Sequence, residues 1–182
     1  MTYLSPPLLL TRSLARLRRG LGCVIWRAWR VCVAFVPWLA AADDTFAQQQ
    51  LSTAEYQLYA QMDVRDRYHG CLVAKRLRSA YPAARATLLR AALLHDVGKS
   101  CLRYQPLSRV LLHLYTPSDI PSAPVQRGLR RLWQVHQHHP AYGAAMIRAA
   151  GGHPRVAELV AKHHNPQGDS EAAQLASIDA LF

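Results

Sequence analysis

An all-α fold is predicted, and three observations predict it. Ala, Leu and Arg dominate the chain while Gly is scarce, 9 in 182 residues, a balance that favours helix over sheet. Apolar residues recur at three- and four-residue steps, the spacing of one helical face. No stretch shows the period-two alternation of a half-buried strand. The length and the apolar fraction of 51% suit one domain with a real core, not a disordered chain.

Taken in order, the elements begin with a basic segment, residues 1–42. It carries Arg12, Arg16, Arg18, Arg19, Arg27 and Arg30 and no acid. Leu10, Leu14, Leu17, Leu21, Val24, Ala28, Val31 and Phe35 form an apolar stripe with most arginines off it, which predicts a basic amphipathic helix. Arg27 and Arg30 interrupt any secretory signal, and the uncharged run from Val31 to Ala42 is short of the ~20 residues a membrane span needs. Two readings fit this segment. It lies on anionic lipid with Trp26, Trp29 and Trp38 at the interface, or its stripe packs on the domain and its arginines are solvated.

Residues 41–51 read as a linker, and the domain is predicted over 43–182. Ser52, Thr53 and Glu55 cap a helix through residue 60. A second helix covers 64–80. Pro82 starts a third, which runs through Leu93 and Leu94 and stops at Gly98. Pro106, Pro117, Pro121 and Pro124 make 104–126 irregular around one short helix, Val110 to Leu114. Helices then follow over 127–137, Pro140 to Ala150 (stopped by Gly151-Gly152), Pro154 to His164, and Glu171 to Phe182.

The net charge of +11 calls for an anionic partner: a phosphate ester, a nucleic acid or a membrane surface. No helix-turn-helix or zinc-finger pattern supports a nucleic-acid module. Cys23, Cys32, Cys71 and Cys101 show no CxxC and read as free thiols, which places the chain in the cytoplasm, with peripheral membrane contact through 1–40 left open.

The histidines carry the chemistry. His95-Asp96 follow the apolar run Ala91 to Leu94 and precede Val97-Gly98-Lys99. A carboxylate at the end of a buried helix is costly unless it is paired or bound to a cation. His69 shares its helical face with Val73 and Leu77 and points inward. His139 precedes Pro140, which is taken to fix the start of a helix and so to favour His139 over His138. His163-His164 end another helix, and Asp179 lies among Leu175, Ile178 and Phe182. Taken singly, each has a dull explanation as a satisfied core histidine or a surface acid. Taken together in this order, they suit Fe, Mn, Zn or Co, which accept imidazole and carboxylate ligands. Asp66, three residues before His69, is either a partner that orients that ring or a solvated acid. Arg127, Arg130 and Arg131 read as a cluster that helps draw in phosphate or, more plainly, as a solvated run.

The stretch from Tyr68 to Asp179 resembles the HD-domain superfamily of metal-dependent phosphohydrolases. The motifs that carry the resemblance are Asp66-Arg67-Tyr68-His69, Ala91 to Lys99 (AALLHDVGK), His139 to Gly143 (HPAYG), His163-His164 and Asp179. The added histidines resemble the two-metal subset that includes cyclic-dinucleotide phosphodiesterases. The resemblance implies an HD-domain helical bundle. It implies one metal on His69, His95, Asp96 and Asp179, and a second on Asp96, His139 and His163 with His164 as a further ligand or neighbour. Asp96 would bridge the two, and a metal-bridged hydroxide would cleave a phosphoester of a nucleotide or another phosphorylated small molecule. Lys99 would contact substrate phosphate; its plainer role is a cation at a helix C-terminus.

Two departures narrow this. The Gly-Tyr-Pro signature of the cyclic-di-GMP branch is replaced by Asn165-Pro166-Gln167-Gly168-Asp169, and Arg65 stands where three-metal members carry glutamate. The alternatives are a diiron oxygenase on the same fold and a non-catalytic membrane-associated member.

Overall fold

A computed structural model of the chain describes residues 40–102, 112, 115, 117 and 119–182. The basic amphipathic helix expected before residue 40, and most of the short helix expected at Val110 to Leu114, lie outside the described residues. Those described form α1 (Asp44–Gln50), α2 (Thr53–Ala60), α3 (Val64–Ala80), α4 (Ala86–Leu94), a 3-10 helix (Val97–Cys101), α5 (Gly128–Ala149), α6 (Pro154–Lys162) and α7 (Ser170–Asp179). No strand occurs among them, and none of these helices is long and apolar enough to cross a membrane.

The centre of the bundle is α4, and its composition dictates that place. Leu88, Leu89 and Ala91 to Leu94 are all buried, so the helix is apolar almost all round and needs neighbours on every side. It receives α3, α6 and α7, with α1 and α2 across one end. Each fully buried leucine contributes ~1.5–3 kcal/mol of transfer free energy. This element therefore anchors the domain and carries His95 and Asp96 into its interior.

Two close approaches set how near the neighbours come. A Cβ on Gly70 would lie 2.9 Å from the carbonyl oxygen of Leu93, so α3 crosses α4 with its backbone almost touching, one residue past His69. A Cβ on Gly98 would lie 2.1 Å from the carbonyl oxygen of His139 and 2.7 Å from the amide nitrogen of Gly143. The 3-10 helix therefore rests directly on the backbone of α5.

Four sequence expectations are corrected. Residues 44–50, read as linker, form α1: Asp43 caps it by accepting from the Phe46 amide at 3.0 Å, and Phe46 and Ala47 are buried. Lys75 and Arg67 of α3 hold Asp43 and Asp44, each at 2.6 Å. The third helix begins at Ala86 and not at Pro82, because a turn closed by the Ala84 amide on the Tyr81 carbonyl, 2.9 Å, takes up the intervening residues. That helix ends at Leu94, and the backbone passes Gly98 in the 3-10 helix.

The fourth correction matters most. Residues 128–149 are one continuous helix with Pro140 inside it, not two helices meeting there. An interior proline costs about 3 kcal/mol. Buried Leu132 and Val135 before it, and Ala144 and Ile147 after it, offset that cost by packing both halves. Ser52 and Glu55 form the expected capping box on α2.

Described residues 115, 117 and 119–127 of the Pro-rich segment are non-helical, and α5 holds them through side chains. Gln134 Nε2 donates to the carbonyls of Pro121 and Pro124 at 2.7 and 2.9 Å. Trp133 Nε1 donates to Tyr115 O at 2.8 Å and Tyr142 Oη to Ser122 O at 2.6 Å. His138 Nε2 donates to Ile120 O at 2.6 Å, so this ring serves the loop.

Candidate metal centre

Six elements converge on one point. His69 comes from the middle of α3. His95 and Asp96 come from the end of α4, Lys99 from the 3-10 helix and His139 from the middle of α5. His163 and His164 follow the last residue of α6, and Asp179 closes α7. Every residue singled out from the sequence for this site is brought to it. His153 is not: it caps α6, its Nδ1 accepting from the Arg155 amide at 3.1 Å. His113 lies outside the described residues.

The cluster has a dry floor and a wetter rim. His95, His139 and His163 are each 1% exposed and Asp96 3%. His69 and Asp179 keep about a quarter of their side-chain surface, at 24% and 22%, and His164 is exposed. Among the described residues, His69, Asp179 and His164 are thus the solvent-facing members of the cluster.

Asp96 sits between the two halves. Its Oδ1 lies 3.3 Å from His139 Nε2, and its Oδ2 lies 3.6 Å from His95 Nε2 and 2.7 Å from Lys99 Nζ. Asp179 Oδ1 accepts from His69 Nε2 at 2.8 Å and stands 3.4 Å from His95 Nε2. Two subsets have ligand atoms that all lie within 4.8 Å of one another: His69, His95 and Asp96, and His139, His163 and His164. The imidazoles of the second subset crowd together edge-on or tilted, with ring centroids 4.9 Å apart for His139 and His164 and 4.1 Å for His163 and His164.

The ring nitrogens show what the pocket is built to receive. His95 Nδ1 donates to Ala92 O at 2.9 Å, His139 Nδ1 to His136 O at 2.7 Å and His163 Nδ1 to Val160 O at 2.7 Å. A carbonyl only accepts, so each Nδ1 carries a proton and Nε2 is the ring nitrogen turned inward. These three Nε2 atoms are buried without a hydrogen-bond partner; the separations to Asp96 and Asp179 reach ion-pair range but make no hydrogen bond. Leaving three buried ring nitrogens unmet in one place is costly. A divalent cation would satisfy all three together with the carboxylates. The donor set of imidazole nitrogens and carboxylate oxygens fits such an ion.

The electrostatics of the second subset fit a lone-pair donor. Burial, reinforced by the His95 and His164 charges, pushes His163 down to about 2. Burial and His139 push His164 down to about 4. Both rings are therefore neutral and able to donate a lone pair at neutral pH. Burial would lower His95 too, but the Asp96 and Asp179 carboxylates outweigh it and raise it to about 9, so a cation bound there takes the place of a proton. Burial alone would raise Asp96, yet Lys99, His95 and His139 hold it well below the usual carboxylate range. Asp179 behaves the same way under His69 and His95.

A family described as the HD domain matches residues 68–181. The chain belongs to the HD domain family. The matched span of this HD domain takes in all seven candidate ligands and Lys99. HD domains bind divalent metals and are typical of metal-dependent phosphohydrolases. No curated protein and no solved structure matches the chain.

Some of the site was not read from the sequence. Asp66 is buried, 5% exposed, which removes the solvated reading. Arg155 was not singled out, yet it bonds Asp169 at 2.7 and 2.8 Å and Glu171 at 2.8 Å. It ties the start of α6 to the cap of α7 across the turn that follows His163-His164.

Arg155 holds the Asp169 carboxyl well below its ordinary range. A group so depressed contributes stability above its unfolded pKa, about 4, and loses it as pH falls through the lower folded value. Arg155→Met should therefore cost about 2 kcal/mol at pH 7, with a smaller difference from the parent at pH 3. Urea unfolding at both pH values checks this; a difference that does not shrink in acid would contradict the ion-pair account.

Proposed function

We propose that this HD domain is a metal-dependent phosphohydrolase that cleaves a phosphoester at a two-metal site. His69, His95, Asp96 and Asp179 would hold one ion. Asp96, His139, His163 and His164 would hold the other. The observation that carries the reading is the trio of buried, unpartnered Nε2 atoms around Asp96. Mn, Fe, Zn and Co all suit this donor set. When bound, two such ions supply Lewis acidity to an attacking water and stabilise negative charge on the phosphoryl oxygens.

The chain's own residues do the rest. Asp96 spans both halves and fixes their separation. The Nδ1 bonds hold three rings in one tautomer, so no reorganisation is needed at the moment of reaction. Lys99 stands at the rim with its ammonium 2.7 Å from Asp96, placed to bind a phosphate oxygen. The buried floor excludes water from behind, and substrate approaches over His164, His69 and Asp179. The positive charge of the chain supports an anionic, phosphorylated small molecule, a nucleotide among the candidates. Contact of residues 1–40 with an anionic membrane rests on the arginine pattern alone.

The test is hydrolysis of nucleotides, cyclic dinucleotides and bis-p-nitrophenyl phosphate by Mn-loaded protein beside Asp96→Ala, with metal content measured for both. Turnover that falls at least ~10³-fold in the variant, with loss of ion, supports the reading and begins to name the substrate. Two ions bound with no turnover and with O₂ consumption would turn it into an oxygenase. A parent that binds no ion would end the catalytic reading.

A further inference from the structure

The three buried histidines use one device at three places, and at one of them the device should not work. In each case Nδ1 donates to the carbonyl three residues earlier. Ala92 and Val160 lie in the last turns of α4 and α6, where carbonyls have no intrahelical donor ahead of them and are free to accept. His136 lies in the middle of α5. A carbonyl there is ordinarily taken by the backbone N–H four residues on. Residue 140 is proline, the one residue with no N–H to give, and its ring also presses on the carbonyl four residues back.

We propose that Pro140 is a positioning residue of the metal centre. By withdrawing one backbone N–H it opens the His136 carbonyl to His139 Nδ1, which fixes that ring in the tautomer that turns Nε2 toward Asp96. The helix continues through the proline because both sides of it are packed. The helix runs on unbroken from Gly128 to Ala149, and the proline leaves one acceptor to the ring at the place where a ligand in mid-helix needs it. This rests on the two-metal reading for its purpose, and on the hydrogen bonds alone for its geometry.

Pro140→Ala restores the N–H in a residue that favours helix. The metal-free variant should melt no lower than the parent. The His139 ¹⁵N signals, those of a ring protonated at Nδ1 in the parent, should move toward a mixture of tautomers. Manganese titration should show one site unchanged and the other weakened by about 10- to 100-fold, the usual effect of losing a group that orients a ligand. Pro140→Gly restores the same N–H with a poorer helix former and should give the same tautomer change, which separates the hydrogen bond from helix stability.

A His139 tautomer and two affinities identical to the parent's in both variants would overturn the proposal. A parent that binds no ion would instead end the two-metal reading, while the ¹⁵N spectra of the metal-free proteins would still decide what Pro140 does.

Discussion

Gly98→Ala is expected to lower stability by about 3 kcal/mol and to remove ion binding and hydrolysis together. The added Cβ would stand 2.1 Å from the His139 carbonyl oxygen, far inside any contact distance, and the obstacle is backbone. A flexible side chain can swing aside, but a helix carbonyl moves only if its helix does. The 3-10 helix and α5 must then separate. Asp96 is two residues before Gly98, and His139 is the very residue struck. Separation therefore widens the gap between the two halves of the site at Asp96, now 3.3 Å from His139 Nε2.

Catalytic groups displaced by ~1 Å lose about 10²-fold in rate, and a larger shift costs more. Urea unfolding and metal analysis of Gly98→Ala beside the parent check both halves. A variant with parental stability and both ions would show that the backbone contact does not set the geometry of the site.

Glu55→Ala should destabilise the domain by about 3–5 kcal/mol, the range for removing one member of a buried ion pair, while leaving ion binding intact wherever the protein stays folded. Glu55 is fully buried. Its Oε2 accepts from Arg90 Nη2 at 2.6 Å and Nε at 2.7 Å and from the Ser52 amide at 3.2 Å, and its Oε1 accepts from the His153 amide at 3.2 Å. One carboxylate thus joins α2, α4 and the start of α6. Against a typical domain stability of ~5–15 kcal/mol, that loss is large. Glu55→Gln keeps the shape and should cost less. The comparison is made by denaturant midpoint and by Mn stoichiometry at a temperature where the variant is folded. An Ala variant as stable as the parent would mean that the network is worth no more than its solvated alternative.

The two variants separate two ways of losing activity. One breaks the geometry of the site from next door; the other lowers the population of folded molecules and spares the site in those that remain.

Much of the candidate site was legible in the chain. His95-Asp96 at the end of an apolar run, His163-His164 before Asn165-Pro166, and Asp179 on an apolar face were each marked by a polar residue where its neighbours demand burial. Such a conflict between local chemistry and pattern is visible without coordinates, because burying a charge needs a reason. His139 was favoured over His138 on a mistaken ground. Pro140 does not start a helix there; it sits inside one, and the preference stands because His139 is buried at the cluster while His138 bonds the Pro-rich loop. Helix α1 was missed because its glutamines and aspartates resemble a linker; Phe46, docked under Lys75 and Arg78, and the ion pairs of Asp43 and Asp44 show what holds it.

What the sequence by itself determined is the all-α class, the central apolar helix and the identity of the groups that meet. Composition, periodicity and the cost of buried polarity are local properties, and each residue declares them alone. The tertiary structure decided the distances: the backbone contact at Gly98 that brings Asp96 to His139, the crossing at Gly70 that brings His69 to His95, and the carbonyls that set three ring tautomers. Those depend on which surfaces touch across long stretches of chain, and contact between distant backbones leaves no periodic trace in the order of the residues.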